Sequence, residues 1–211
     1  KICYIIGAGN LPLLYIKKQN SFVIAADGGY AKLGEITPDV IVGDFDSLGF
    51  VPKTPHTIIL PVKKDVTDMK YATEIGIQNG YNTFIIYGGT GGREDHTFAN
   101  YTLLCDLASK GLRGYLIGHN SITTAISNTA VNLPKHKEGT VSVFSASDIS
   151  KGVSIKGLEY TLEDEELTFN HPLGVSNSFI GMDNEISVKG GTLLIMWQEK
   201  CVKDFIECIN Q

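Results

Sequence analysis

Two aspartates one residue apart, Asp44 and Asp46, directly follow an apolar run that ends at Gly43. In an extended chain, residues two apart point to the same side, with Cα atoms about 6–7 Å apart. Carboxylates in that arrangement repel each other unless a cation or a proton lies between them. A hard cation that keeps several waters, such as Mg²⁺, suits such a pair. The segment therefore predicts a metal site, and a solvated turn is the simpler alternative.

A third carboxylate, Asp68, lies at the expected start of a helix, in the sequence Asp65-x-Thr67-Asp68. Asp65 or Thr67 is expected to cap that helix, and an aspartate in the first turn usually complements the helix dipole. The acidic cluster belongs to the same predicted layer as Asp44 and Asp46. This shifts the interpretation of Asp68 towards metal binding or proton abstraction.

The stretch from Gly88 to His96 is rich in glycine and ends in charged side chains. Glycines such as Gly89 let backbone N–H groups approach a phosphate closely, and the following helix presents its positive end. Arg93 can hold phosphate oxygens with its planar guanidinium. The stretch is not a Walker A loop, because the G-x-x-x-x-G-K-[ST] pattern is absent. We predict a phosphate-binding loop, although a flexible loop capped by Asp95 is the alternative and His96 alone is weak evidence.

A shorter glycine motif, Asp27-Gly28-Gly29, follows another apolar run. Its carboxylate and its accessible backbone suit a ribose or a phosphate. By itself this motif is also compatible with no ligand at all.

Polar and aromatic side chains in the C-terminal half suit a flat ring. Ser176 and Asn177 can hydrogen-bond the edge of such a ring, and Trp197 can stack on its face. A tryptophan at the end of a strand, however, more often belongs to the core.

Uninterrupted apolar runs in the first half predict the strands that position these motifs. Runs without polar alternation indicate strands buried on both faces, as in a parallel sheet. The runs are Ile2–Ile6, Phe22–Ala26, Val40–Val42, Thr57–Leu60, Phe84–Tyr87 and Gly114–Ile117. Every strong motif of this half lies just after one of them.

Two helices are expected between these strands. The first ends at about Asn79, before Gly80, and the second follows Asp95 and ends at Gly111. The second helix has four apolar or small residues that fall on one face at helical spacing: Phe98, Tyr101, Cys105 and Ala108. Strands that alternate with helices predict an α/β domain with ligands at the carboxyl ends of its strands.

The pattern changes after about Asn128. Short alternating segments, typical of antiparallel strands, replace the apolar runs: Val141–Val143, Val153–Ile155, Leu167–Phe169 and Ile186–Val188. Turn signals fall between them: Lys151-Gly152, Asp183-Asn184 and Gly190-Gly191. We therefore predict an α/β parallel-sheet domain over residues 1–128 and a smaller all-β sandwich domain over residues 129–211. Val202, Phe205, Ile206 and Ile209 suggest one short amphipathic helix at the end.

Composition narrows the class of protein. The net charge of -5, without a basic tract, argues against a general nucleic-acid binder. No apolar run is long enough for a transmembrane helix, and glycines from Gly7 onward interrupt the first run, so a secretory signal is not expected. The four cysteines fit no zinc pattern. Cys3 and Cys105 are expected to be core residues, and a cytoplasmic location fits best.

The ordered motifs together resemble the thiamine pyrophosphokinase family. They are Ala26-Asp27-Gly28-Gly29, Gly43-Asp44-Phe45-Asp46-Ser47, Asp65-x-Thr67-Asp68 and Gly92-Arg93-x-Asp95-His96. The resemblance is dense up to residue 128 and continues more thinly to Gly174-x-Ser176-Asn177 and Trp197. It implies transfer of a pyrophosphoryl group from ATP to the hydroxyethyl group of thiamine, giving thiamine diphosphate and AMP. It also implies dependence on Mg²⁺ and a homodimer with thiamine at the subunit interface.

The resemblance assigns roles to individual residues. The carboxylates of Asp44, Asp46 and Asp68 would hold Mg²⁺ and the phosphates, and one of them would take the proton of the thiamine hydroxyl. The ATP side would comprise Asp27, Gly28, Gly29, Gly89, Arg93, Asp95 and His96, and the thiamine side would comprise Ser176, Asn177 and Trp197. The segment 198–211 departs from the family pattern, so its role is open.

Three other classes of function remain possible from the residues. A phosphohydrolase uses one aspartate of a D-x-D motif as a nucleophile, but that motif normally follows the first strand, whereas here it follows the third. A glycosyltransferase holds a metal–nucleotide with D-x-D, but the Gly-Arg-Asp segment is then unexplained. A non-catalytic sensor of nucleotide or thiamine is the third class.

Overall fold

The computed structural model describes residues 1–17, 21–63 and 65–209. The chain divides into two compact units. The first comprises Lys1–Asn100 and Leu116–His119, and the second comprises Tyr101–Tyr115 and Asn120–Gln211. The predicted division between residues 128 and 129 stays a prediction.

The first unit is built on a parallel sheet. Its strands are β1 (Ile2–Ile6), β2 (Ser21–Ala26), β3 (Val40–Gly43), β4 (Thr57–Ile59), β5 (Thr83–Tyr87) and β6 (Arg113–Gly118), of which β6 begins in the second unit. The strand order is β6-β5-β1-β2-β3-β4, and β1 pairs in parallel with both β2 and β5. Ile5, Ile24 and Ile86 face one another across these pairs and are fully buried. The apolar runs were therefore correctly interpreted as strands buried on both faces.

Two α-helices connect these strands, and both were predicted. The first, α1 (Asp68–Gln78), begins after Thr67, whose side chain accepts a hydrogen bond from the Lys70 N–H at 3.2 Å. The second, α2, spans Glu94–Ser109. A 3-10 helix, Asp27–Lys32, follows β2 directly.

The predicted apolar face of α2 is confirmed only in part, because Ala108 is buried but Phe98 is not. Phe98 is 62% exposed, whereas Leu103, Leu104 and Leu107 are buried. The side of α2 that carries the three leucines is buried, because three leucines remove more apolar area from water than one aromatic ring does. Cys3 is fully buried as predicted, while Cys105 is only half-buried.

The second unit is antiparallel. Its strands are β7 (Ser121–Ser127), β8 (Ala130–Val131), β9 (Thr140–Ser145), β10 (Ile149–Lys156), β11 (Leu162–Thr168), β12 (Gly174–Ser178), β13 (Glu185–Ser187) and β14 (Thr192–Gln198). Four of these strands are hydrogen-bonded side by side in the order β12-β9-β14-β7. The other four form a separate sheet with the order β11-β10-β13-β8. Buried and half-exposed residues alternate along β14, as the predicted pattern requires.

Two details of the second unit differ from or complete the predictions. Lys151 and Gly152 lie inside β10 and do not form a turn, because the pairing with β11 shifts register between Ser150 and Val153. Such a bulge accommodates an extra residue without ending the strand. The predicted C-terminal helix is confirmed as α3 (Val202–Ile209). Residues 210 and 211, the end of the segment whose role was open, lie outside the described residues.

Candidate active site

Three carboxylates converge at the carboxyl ends of β2 and β3. Asp27, Asp44 and Asp46 each offer one oxygen, and these oxygens all lie within 4.8 Å of one another. We call these three residues the aspartate group. Their convergence follows from the sheet, because β2 and β3 are parallel neighbours and therefore end at the same edge.

The conformation of the D-x-D segment differs from the predicted extended one. Phe45 has a φ of 62°, and its side chain is buried at 3% exposure. A bulky residue in the left-handed region is a genuine outlier, which persists only where the surrounding structure holds it. Asp44 and Asp46 therefore converge through a turn, in which Asp44 Oδ1 accepts a hydrogen bond from the Asp46 N–H at 3.4 Å.

Asp27 is held in place by an unusual backbone and a close neighbour. Its φ is 47°, and the residue is only 8% exposed. A Cβ on Gly43 would lie 2.9 Å from the Cα of Asp27, so only glycine at position 43 permits this approach. The glycine that precedes the D-x-D pair thus makes room for the third carboxylate.

The aspartate group has the chemistry of a site for a hard divalent cation. Asp27 Oδ1 is buried and accepts no hydrogen bond from any described residue. A buried, unpartnered carboxylate oxygen is costly unless a cation or another donor compensates it. Three oxygen donors that leave room for water are the ligands that Mg²⁺ prefers. The residues present therefore fit this ion.

Asp68 is placed at the first position of α1, and its Oδ1 is buried. Among the described residues, it does not belong to the group whose oxygens lie within 4.8 Å of one another. Its roles in metal binding and proton transfer stay predictions.

The glycine-rich loop leads into α2 as predicted, and its arginine is paired with a neighbouring carboxylate. Arg93 donates from Nε to Asp95 Oδ1 at 3.1 Å and from a terminal nitrogen to Asp95 Oδ2 at 2.6 Å. The hydrogen bond from Arg93 is the main cause that lowers the pKa of the Asp95 carboxyl. Asp95 Oδ1 also accepts from the His96 N–H at 2.9 Å, and all three side chains are exposed.

One residue that supports this loop was missed from the sequence. Asn100 is 5% exposed, and its side-chain amide donates to the carbonyl oxygen of Gly89 at 2.9 Å. This bond fixes the loop against α2. A polar residue among the buried leucines of α2 was the available signal.

The predicted thiamine-binding residues lie on the antiparallel sheet of the second unit. Asn177 and Trp197 both lie opposite Val141 of β9, from β12 and β14 respectively, so they share one face of the sheet. Asn177 is 4% exposed, and its amide is bonded to both the N–H and the carbonyl of Tyr160. Ser176 is exposed, with a φ of 61°.

Trp197 is a core side chain in this conformation. It is 2% exposed, and its ring meets that of Phe205 in α3 at a centroid distance of 5.6 Å and an angle of 64°. Phe205 meets Tyr115 in the same way at 5.0 Å. The indole N–H of Trp197 is buried and donates to no described residue. Helix α3, which lies in the segment 198–211 to which the sequence assigned no role, thus covers the tryptophan.

Two family models match the chain. The family model for the thiamin pyrophosphokinase catalytic domain matches residues 13–116, and the model for the vitamin B1 binding domain of the same family matches residues 128–193. The two models together account for most of the chain. The chain belongs to the thiamin pyrophosphokinase family.

Individual relatives are similar to the chain in sequence and in fold. The thiamine pyrophosphokinase of Bacillus subtilis (strain 168) is 24% identical over 187 residues, which are 84% of this chain and 87% of that protein. A crystal structure of thiamine pyrophosphokinase from Bacillus subtilis has a TM-score of 0.84 at 23% identity and covers 95% of this chain and 100% of its own. The structure from Geobacillus thermodenitrificans has a TM-score of 0.81 at 24% identity, covering 96% and 99%. These structures have the same fold.

Membership of the thiamin pyrophosphokinase family fixes the reaction. The chain is a diphosphotransferase that uses ATP to convert thiamine to thiamine diphosphate, with AMP as the second product. The resemblance that the ordered motifs suggested is therefore confirmed. Within the described residues, none of the helices combines the length and the hydrophobicity needed to span a bilayer.

Proposed function

We propose that the aspartate group is the catalytic centre of this diphosphotransferase and that it binds Mg²⁺ together with the phosphates of ATP. The observation that supports this proposal is the convergence of Asp27, Asp44 and Asp46 within 4.8 Å, with one carboxylate oxygen buried and unpartnered. Carboxylates alone would repel a triphosphate, so a cation is required on electrostatic grounds. When bound, Mg²⁺ supplies charge neutralisation for the phosphates.

Protein groups around the aspartate group have two further tasks in this proposal. Phosphoryl transfer depends mainly on positioning and charge stabilisation, which the fixed turn at Phe45 and the close approach of Asp27 to Gly43 support. The attacking alcohol is a weak nucleophile, and a nearby carboxylate can accept its proton as the new bond forms. We assign that role to one of Asp44, Asp46 and Asp68.

Arg93 is proposed to release the carboxylate of Asp95 and to bind phosphate oxygens in its place. The side chains of Arg93 and Asp95 are 72% and 63% exposed. Exposed ion pairs contribute little to stability because water and salt screen them. A nucleotide phosphate can therefore replace Asp95 at small cost, and the planar guanidinium can engage it with two hydrogen bonds. Gly28, Gly29, Gly89 and His96 are proposed to line the same ATP side.

Ser176, Asn177 and Trp197 are proposed to contact thiamine, and the chain is proposed to act as a homodimer. The exposed Ser176 is the most accessible of the three in this conformation. Contact between thiamine and Trp197 would require the ring of Phe205 to move, because it covers the indole. A cytoplasmic location is also proposed, since the four cysteines are unpaired.

Incubation with ATP, Mg²⁺ and thiamine tests the reaction. We expect AMP and thiamine diphosphate to form in equal amounts. Release of ADP or free phosphate, or a trapped phospho-aspartate, would instead favour a phosphohydrolase. Tight binding of both ligands without turnover would favour a sensor.

Asp46→Asn tests the proposed centre. We expect this variant to lose turnover while keeping the circular dichroism of the parent protein and melting no lower than it, because the substitution preserves shape and removes a charge that the other two carboxylates repel. Asp148→Asn, at an exposed position of the second unit outside the aspartate group, is the matched control. Near-normal turnover of a folded Asp46→Asn protein would rule out this assignment.

A further inference from the structure

The segment that joins β14 to α3 carries a buried charged side chain that the proposed reaction does not use. Glu199 is 4% exposed, and its Oε2 lies 3.0 Å from Nε2 of His136. The ring of His136 packs edge-on against Phe179 at a centroid distance of 4.9 Å and an angle of 81°. A buried carboxylate is costly unless it is paired and hydrogen-bonded, so Glu199 depends on this partner. We call His136 and Glu199 the anchor pair.

The anchor pair holds the start of α3. The second carboxylate oxygen of Glu199, Oε1, accepts a hydrogen bond from the N–H of Cys201 at 3.1 Å, and Cys201 directly precedes the helix. A negative charge near the first turn also complements the helix dipole. The carbonyl oxygen of His136 accepts a hydrogen bond from the Gly181 N–H at 2.9 Å. The beginning of α3 is therefore tied to a hydrogen-bonded loop of the second unit.

The other contacts that hold α3 in place are apolar and few. Two residues of this helix, Phe205 and Ile206, are buried, and Phe205 is the side chain that covers Trp197. A helix of eight residues is not stable by itself in water, because isolated helices shorter than about 12–15 residues are marginal. The position of α3 therefore depends on these two side chains and on the anchor pair.

The observed position of α3 leaves a polar group of Trp197 unsatisfied. The indole N–H of this side chain is buried and donates to no described residue. A buried donor without an acceptor lowers the stability of the state that buries it. The N–H regains a partner, from water or from a ligand, when α3 moves away. The closed arrangement therefore contains a group that favours opening, and the anchor pair opposes it.

We propose that α3 is an autoinhibitory cover, held over Trp197 by the anchor pair, which must open before thiamine contacts the indole; this inference rests on the proposed function. A ligand that binds only the open form has an apparent Kd equal to its intrinsic Kd divided by the open fraction. Weakening the anchor pair therefore strengthens thiamine binding. Loss of a contact that merely supports the thiamine site would weaken thiamine binding instead, so the sign of the change distinguishes the two roles.

Glu199→Gln in the full chain tests the anchor pair, because the substitution keeps the shape of the side chain and removes its charge. We expect the protection of the α3 amides from hydrogen exchange to fall about tenfold, which corresponds to about 1.4 kcal/mol. Quenching of Trp197 fluorescence by acrylamide should increase. Equilibrium dialysis should give a Kd for thiamine about tenfold lower than that of the parent protein. His136→Gln, which keeps a hydrogen-bond donor, should change all three measurements in the same direction by a smaller factor.

Lys200→Gln is the matched control for these variants. Lys200 lies in the same segment and pairs with Glu138 at 2.9 Å, but these side chains are 77% and 79% exposed. Exposed ion pairs contribute little to stability, so exchange, quenching and thiamine affinity should equal those of the parent protein. Circular dichroism shows whether each variant is folded. If Glu199→Gln does not fold, His136→Gln supplies the same comparison.

Two results would overturn the inference. One is unchanged protection of α3 in the folded variants of the anchor pair. The other is faster exchange together with an unchanged or higher Kd for thiamine, which would make α3 a structural element. Exchange and quenching need no ligand, so they test the anchored helix independently of the reaction. Thiamine diphosphate formation by the parent protein is measured separately, and its absence would refute the proposed function but not the anchoring of α3.

Discussion

In the absence of metal, replacing Asp27 by asparagine should stabilise the protein. The same substitution should remove the stabilisation that metal gives to the parent protein. Within the aspartate group, two charges at the 4.8 Å limit of separation repel by about 3.5 kcal/mol at an effective dielectric constant of 20. Asp46 is exposed, so its share falls below about 1 kcal/mol. Allowing for the partial exposure of Asp44, we expect a net relief of roughly 1–2 kcal/mol in Asp27→Asn.

The backbone should tolerate this substitution. Asparagine is among the non-glycine residues that adopt a positive φ most readily, and the φ at Asp27 is 47°. For a chain of this length, about 1 kcal/mol corresponds to a shift of roughly 2–4 °C in the melting temperature. The variant should therefore melt a few degrees above the parent protein in EDTA.

Addition of Mg²⁺ should raise the melting temperature of the parent protein above that of Asp27→Asn. A ligand at about a hundred times its Kd stabilises the folded state by about 2.7 kcal/mol, and only the parent keeps all three carboxylates. Calorimetric melting of both proteins, with EDTA and with saturating Mg²⁺, measures the four temperatures. Asp148→Asn serves as control and should respond to Mg²⁺ like the parent. An Asp27→Asn protein that gains as much from Mg²⁺ as the parent, or that is destabilised in EDTA, would refute the reasoning.

Two further substitutions test the surroundings of the predicted sites. Phe205→Ala should lower the free energy of unfolding by about 3–5 kcal/mol, because a buried aromatic ring is lost. The fluorescence emission of Trp197, the single tryptophan, should shift to the red as water reaches the indole. Unchanged emission would show that Phe205 does not shield the indole. In an NMR titration, the Asp95 carboxyl should have a pKa below its ordinary value of 3.8, because of the hydrogen bond from Arg93, and should return towards that value in Arg93→Gln. Since the folded pKa is the lower one, the pair contributes stability above the ordinary pKa and loses it as the pH falls through the folded value; an identical midpoint in both proteins would contradict this pairing.

Local sequence signals were sufficient for much of the fold. Apolar runs such as Ile2–Ile6 indicated fully buried strands because a strand covered on both faces has no polar side to display. Of the two caps expected for α1, Asp65 and Thr67, the structure has Thr67, since its hydroxyl satisfies a free N–H of the first helical turn. Hydrophobic periodicity was a less reliable guide to the buried side of a helix where apolar residues lie on more than one side, as with Phe98 in α2.

The sequence by itself determined the family and placed two carboxylates close together, because only Phe45 separates Asp44 from Asp46 in the chain. Only the tertiary structure brought Asp27 to them, since that contact requires β2 to pair with β3 and requires Gly43 to leave room. The positive φ of Phe45 likewise depends on the burial of its ring, which local sequence does not encode. Trp197 was identified by its type, but its covering by Phe205 was decided by the packing of α3. Spacing along the chain can therefore indicate which residues carry the chemistry, while long-range packing decides which of them meet.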